Sequence, residues 1–339
     1  MDAWVDRLVA RAAERLTALG LRSPSVGLLA EARARAAEEV RDRYRARAAA
    51  LAARMDAGDP SAAERYGALV EAALAAMRQR ASELARGRGP IAGLAAAVHE
   101  RFGRTDETEH LDDPDLDPEV RVAVLAHLDA LNTLLGSYRA FFDALAPLMR
   151  DDRPTRVLDV AAGHGGFALE AARLAREAGV PLEITASDLR PEYLDLGRVV
   201  AEREGLPVRF AVQDALDLSN LRPGANDIVL CTQSLHHFDP GMVARLFREA
   251  SRHAARGVVF IDGSRSFLNG LVVPTLGRLR YRDPAFVHDT WVSFRRFYAP
   301  EELGLIARLG PEAADVEAGW MAPGHCLLRW RRRVSDDEK

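Results

Sequence analysis

The spacing of apolar positions changes character along the chain. Up to residue 103 it is helical throughout. Trp4, Leu8, Val9, Ala12, Leu16 and Leu19 share one side of a helix over residues 1–20, which Gly20 ends. Ser23-Pro24 opens a long Ala/Arg/Glu helix to Met55, closed by Gly58. Ser61-Ala-Ala-Glu64 has the form of a capping box and opens a third helix, broken at 87–90; residues 91–102 make a short fourth. From residue 157 short apolar runs alternate with helical stretches. Runs at 157–161, 182–188, 208–214, 227–233 and 257–262 read as buried strands, and 167–175, 191–204 and 240–253 as the helices between them. Such alternation predicts a parallel sheet covered on both faces. Residues 316–321 and 326–331 flank Ala322-Pro-Gly324 and predict a hairpin, hence an antiparallel edge.

The two regimes meet at residues 105–119, where Asp106, Glu107, Glu109, Asp112, Asp113, Asp115, Asp117 and Glu119 accompany two prolines. This reads as an exposed linker. A calcium loop is disfavoured, because the EF-hand glycine and terminal glutamate are missing. The expected division is an α-helical N-terminal domain with its acidic linker at 1–116 and a sheet domain at 117–335. Asp117-Pro118 caps a helix to about Gly136, with Val120, Val124, Leu128, Leu131 and Leu135 on one face, and residues 137–149 continue as helix. Arg33, Arg35, Arg41, Arg43, Arg45 and Arg47 are interleaved with Glu31, Glu38, Glu39 and Asp42, which indicates a salt-bridged helix face, not a nucleic-acid arm. Alanine-rich helices pack closely, so a homodimer through this region is expected.

Composition narrows the chemistry. The chain has 339 residues, 48% hydrophobic and 28% charged, with a formal net charge of −4, so nothing drives it towards nucleic acid or an anionic membrane. Its two cysteines, Cys231 and Cys326, match no zinc or redox spacing, and the N-terminus lacks a basic segment followed by an apolar core; a cytoplasmic location is expected. The only lysine is Lys339. A phosphate-binding P-loop, a pyridoxal Schiff base and a Tyr-x-x-x-Lys dehydrogenase pair all need one elsewhere, so all three are excluded.

The chemistry centres on residues 156–170. The strand ends in a tight turn with Gly163, Gly165 and Gly166, and a helix follows. Strand, glycine turn and helix is how a Rossmann-like sheet brings backbone close to a nucleotide. The spacing Gly-x-Gly-x-x-Ala also fits a dinucleotide fingerprint, so an NAD(P)-dependent oxidoreductase is one alternative. The acids discriminate. Asp159, Asp188 and Asp214 stand at three successive strand ends, the rim where such sheets bind ligands. Carboxylates accept from a ribose diol but repel a diphosphate. A cationic, phosphate-free nucleoside suits them, and S-adenosylmethionine is one.

On these residues the chain resembles the class I S-adenosylmethionine-dependent methyltransferases of small-molecule type. Leu158-Asp-Val-Ala-Ala-Gly-His-Gly-Gly166 is similar to that family's Asp-x-Gly-x-Gly-x-Gly turn, with Ala161 in place of the first glycine. The resemblance implies a seven-stranded sheet with an antiparallel C-terminal hairpin. It implies that Gly163 and Gly165 pass under the methionine part, that Asp159 helps to fix its amino end, and that Asp188, beside Leu189, holds the ribose. Asp214 and Ala215 would meet the adenine, and Gln233 to His237 would line the sulfonium and the acceptor. His236 and His237 are the candidate bases and Arg265 a candidate anchor for an acidic acceptor. Asp262, His288, Trp291 and Phe294 are candidate acceptor contacts. The last three belong to an aromatic insertion over 266–300, which also holds Phe267, Tyr281, Phe286, Phe297 and Tyr298. His236, His237 and Asp239 have ligand-type side chains but form no clear metal triad, and no metal is expected. The DNA-methylating motifs, Asp/Asn-Pro-Pro-aromatic and Pro-Cys, are absent from the sequence. The expected activity is methylation of a small, aromatic or secondary-metabolite acceptor, preferably at oxygen. A non-catalytic interaction module with the same fold is the other alternative.

Overall fold

The computed structural model describes residues 24–101, 103–265, 282–310 and 315–333, with a few isolated positions besides. The helix expected over 1–20, and Phe267 and Tyr281 of the insertion, lie outside the described residues.

Among the described residues, three helices come first: α1 (Pro24–Asp56), α2 (Pro60–Arg86) and α3 (Pro90–Arg101). Asp59, not Ser61, is the N-cap of α2: its carboxylate accepts from Ser61 N at 2.9 Å, and Pro60 starts the helix with its fixed φ and no N–H to satisfy. Residues 105–117 are mostly irregular. Then α4 (Pro118–Leu134) is capped by Asp117, as its sequence indicates, and Gly136, at φ 69°, turns the chain into α5 (Ser137–Leu145).

The α/β unit runs β1 (Thr155–Val160), α6 (Gly166–Ala178), β2 (Leu182–Asp188), α7 (Pro191–Glu204), β3 (Val208–Val212), β4 (Asn226–Thr232), α8 (Pro240–His253), β5 (Ala254–Gly263), α9 (Pro284–Arg296), α10 (Pro300–Arg308), β6 (Val316–Met321) and β7 (His325–Arg331). The seven strands are ordered β3-β2-β1-β4-β5-β7-β6. The first five are parallel, and β7 inserts antiparallel between β5 and β6. The expected fold class is therefore the observed one. β3 ends two residues before Asp214, the acid expected to close it, although Gln213 N still donates to Asp188 O at 3.0 Å. The insertion contains a helix, α9, where the sequence pattern gave only aromatic residues.

Alternate residues of the central strands serve two cores, as a period of two requires. Val157, Ile228, Leu230, Val259 and Ile261 pack with α5 and α6. Leu158, Val160, Val229, Cys231, Val258 and Phe260 pack on the other face with α8 and α10. That second core continues without a break into Tyr66, Leu69, Val70, Leu74 and Met77 of α2 and Ala36, Val40 and Ala48 of α1. The N-terminal helices thus form an outer layer on α8 and α10. At the closest approach, a Cβ on Gly241 of α8 would lie 2.7 Å from Gly67 Cα of α2. No described helix is long and apolar enough to cross a membrane.

Candidate functional site

A cavity of about 520 Å³ opens over the carboxyl ends of β1 to β5. One half is built on the glycine turn. Ala161 takes a left-handed φ of 51°, strained for a residue with a side chain, and Gly163 takes 57°. Asp188, at the end of β2, holds the turn: its Oδ2 accepts from Gly163 N at 2.8 Å and its Oδ1 from Arg190 N at 3.0 Å. A carboxylate has further lone pairs, so a diol can still bind there. Leu189, Asp214 and Ala215 continue the wall, with Asp214 exposed at the rim and Ala215 buried. Gln233 also faces the cavity, and its amide exchanges two hydrogen bonds with Asn132 of α4, at 2.9 and 3.0 Å.

Two predicted cofactor residues do not reach the wall. Gly165 points instead at the sheet, where a Cβ would sit 3.0 Å from Ala186 Cβ and 3.1 Å from the Phe210 ring; its missing side chain lets α6 close onto β2 and β3. Asp159 is buried behind the turn, with no protein hydrogen bond to either carboxylate oxygen. Burial first, and then Asp188, push its carboxyl well above the ordinary aspartate range. The acids on the wall itself are Asp188 and Asp214, and negative side chains there suit a cationic ligand and repel a diphosphate.

Helix α4 supplies the cover. Asp129 accepts from the Tyr138 hydroxyl at 2.6 Å through Oδ1 and meets His164 Nε2 at 2.8 Å through Oδ2, and all three line the cavity. A Cβ on Gly166 would lie 2.3 Å from Asp129 Oδ1, so a side chain there would displace this carboxylate. Sequence reading missed this network. Its one available sign was His164, a polar residue inside the turn itself.

The other half of the cavity is built on His236 and His237, in a one-turn helix after β4. His236 is 5% exposed. Its Nδ1 lies 2.9 Å from Asp262 Oδ2 and its Nε2 lies 3.2 Å from Glu109 Oε1. Burial alone would lower this imidazole; Asp262 and Glu109 outweigh it and raise it to about 10. With both ring nitrogens engaged, His236 is not the free base expected from its position. His237, 31% exposed, lies with Nε2 3.9 Å from Glu109 Oε2 and Nδ1 3.4 Å from Asp112 Oδ1.

Glu109 is the main correction to the sequence reading. It belongs to the acidic stretch read as an exposed linker, yet it is 5% exposed. The stretch is pinned from several sides. Asp289 of α9 accepts from His110 N at 2.7 Å and Leu111 N at 3.1 Å, and Ser293 Oγ donates to Glu109 Oε1 at 2.7 Å. Arg104 donates to the carbonyls of Arg296, His236 and Phe238. The only advance sign was one basic residue before a run of acids.

Asp262 and Phe294 line the cavity as expected. Three other assignments are corrected. Arg265 is buried against Glu302 at 2.7 Å, beside Arg78 on the same carboxylate oxygen, and belongs to the packing of α10 on α2. His288 turns to Asp289 at 3.1 Å and stacks on His110 with ring centroids 4.3 Å apart. Trp291 packs on the Phe294 ring at 5.5 Å and is not among the lining residues.

An open sheet with an antiparallel seventh strand, an acid-lined rim and a glycine turn defines an α/β domain of the nucleoside-binding kind and departs from a dinucleotide fold. The family model described as a methyltransferase domain matches residues 157–257. A demethylmenaquinone methyltransferase of Deinococcus radiodurans is 37% identical over 123 residues, 35% of this chain and 48% of that one. A ubiquinone biosynthesis O-methyltransferase of Xanthomonas euvesicatoria pv. vesicatoria is 36% identical over 91 residues, 26% of this chain and 36% of that one. The chain thus spans about half or less of the length of these curated relatives. Among solved structures, an S-adenosylmethionine-dependent methyltransferase, SibL, in its apo form, superposes with a TM-score of 0.47 at 22% identity over 70% of this chain and 65% of that one. Residues 157–257 are thus similar to a methyltransferase domain, within the mostly parallel seven-stranded sheet described above.

Proposed function

We propose that the chain transfers the methyl group of S-adenosylmethionine to a hydroxyl of a small, flat acceptor. The observation that carries this reading is the single cavity joining the glycine turn and the acids of β1 to β3 to the His236–His237 cluster. The cofactor would lie along the first half, with Asp188 on the ribose, Asp214 and Ala215 at the adenine, and Asp129 and His164 at the methionine end. The cofactor supplies an electrophilic methyl on a cationic sulfur. The chain's own part is alignment and charge: it holds acceptor oxygen, methyl and sulfur in line, and the rim acids favour the cation without water between.

The acceptor half supports a flat molecule. Phe294 and Phe297 line the cavity, as do Leu125 and Leu128 of α4. The quinone-pathway names of the two relatives are consistent with an aromatic acceptor, and oxygen is favoured because a cluster of histidines and carboxylates suits a group that must lose a proton. A homodimer through α1 to α3 remains part of this proposal, and light scattering reads it directly.

The test is isothermal titration of the whole chain with S-adenosylhomocysteine and with NADH. Saturable binding of the first, lost in Asp188→Ala, is expected. Binding of NADH alone would overturn the reading.

A further inference from the structure

The side chains around Glu109 are arranged as metal ligands are. Glu109, His236 and His237 each present one ligand atom, and these atoms lie within 4.8 Å of one another. Both imidazoles turn Nε2 towards the same carboxylate, His236 towards Oε1 at 3.2 Å and His237 towards Oε2 at 3.9 Å. Both turn Nδ1 to a different acid, Asp262 at 2.9 Å and Asp112 at 3.4 Å. A second carboxylate on the far nitrogen is what fixes the tautomer and direction of a metal-bound histidine, and here it occurs twice. Glu109 and His236 are buried and His237 is partly exposed, and all three line the cavity.

We propose that Glu109, His236 and His237 bind one divalent transition-metal ion, zinc by ligand type, at the acceptor end of the cavity. Two imidazoles and a carboxylate form a borderline donor set that leaves a coordination position open. His110, His288 and Asp289 form a second cluster, but both histidines are exposed and Asp289 already accepts two backbone N–H groups. The role of the ion rests on the methyl-transfer reading; its binding does not. In that role it would take the acceptor oxygen as ligand. The hydroxyl proton leaves to water, an oxygen lone pair forms the bond to the methyl carbon, and the carbon–sulfur pair returns to sulfur, giving a neutral thioether. The substrate class thereby narrows to hydroxyl acceptors that can ligate a metal, such as phenols or enols with a neighbouring oxygen.

The full chain, stripped with EDTA and desalted, is titrated with Co²⁺, followed by visible absorption, and then competed with Zn²⁺. One equivalent per chain is expected, with ligand-field bands that Zn²⁺ removes. His237→Ala and Glu109→Gln should abolish the bands, and Asp112→Asn should weaken binding about 10–100-fold at unchanged stoichiometry. Circular dichroism checks that each variant is folded; His237 and Asp112 are exposed enough that their variants keep the fold if the buried ones do not. Absence of saturable Co²⁺ or Zn²⁺ binding by folded chain overturns the proposal. So does binding that survives His237→Ala, or that is lost with His288→Ala. Titration of the stripped chain with S-adenosylhomocysteine separates the two readings, since cofactor binding without metal binding sinks only this one.

Discussion

A methyl group added at Gly241 tests how tightly the outer helices are seated. The new Cβ would lie 2.7 Å from Gly67 Cα and 3.1 Å from Gly67 C, both backbone atoms. Comfortable carbon contacts begin near 3.5 Å, so α2 and α8 must part by roughly an ångström along a well-packed seam. Overpacking of that kind costs about 1–3 kcal/mol. Alanine recovers little of it through helix propensity, because Gly241 is in the first turn of α8. The reciprocal change differs. A Cβ on Gly67 would meet Gly241 Cα at 3.6 Å, an ordinary contact, and Gly67 is inside α2, where alanine gains about 1 kcal/mol over glycine. Gly241→Ala should therefore be less stable than the parent and Gly67→Ala equal or more stable, with about 1–4 kcal/mol between them. Urea unfolding reads this as opposite displacements of the midpoint at unchanged slope. If Gly241→Ala proves as stable as Gly67→Ala, the close crossing of α2 on α8 is wrong.

Glu302→Gln should cost about 3–5 kcal/mol, because it leaves the buried Arg265, and the half-buried Arg78 beside it, without their shared carboxylate; thermal unfolding measures it. Gly166→Ala should weaken S-adenosylhomocysteine binding at least ~10-fold, about 1.4 kcal/mol, by pushing Asp129 off Tyr138 and His164; calorimetry reads it. His325 is buried beside the Phe141 ring, and burial lowers its imidazole from 6.5 to about 4. The unfolded chain binds that proton first, so stability holds above pH 6.5 and falls by about 3 kcal/mol as the pH drops towards 4. His325→Phe should flatten that slope in urea midpoints measured across the range.

What the sequence reading got right follows from period and turn chemistry. A strand buried on both faces leaves an apolar run, and an acid closing it is conspicuous, so the parallel sheet, its antiparallel hairpin and the acids after β2 and β3 were legible. Asp159 was seen but misplaced, because burial behind a turn and exposure on it look alike in a linear string. Arg265 was read towards the pocket on position alone; its partner Glu302 lies 37 residues on and could not be anticipated. Glu109 was hidden for a different reason. A polar stretch without periodicity reads as solvent-exposed, and nothing in it shows that Asp289 and Ser293 of a distant helix take up its hydrogen-bonding groups.

The pinning of residues 104–112 onto α9 and the histidine turn bears on how this protein diverges from its kin. The wall that meets the acceptor comes from a segment lying before the matched family region, tied to a helix lying after it. On the methyl-transfer reading, acceptor choice can drift through these flanks while the glycine turn and Asp188 stay unchanged. A graft of residues 157–257 would carry the glycine turn, Asp188 and the histidine turn, and would leave Asp129, Glu109 and Asp112 behind.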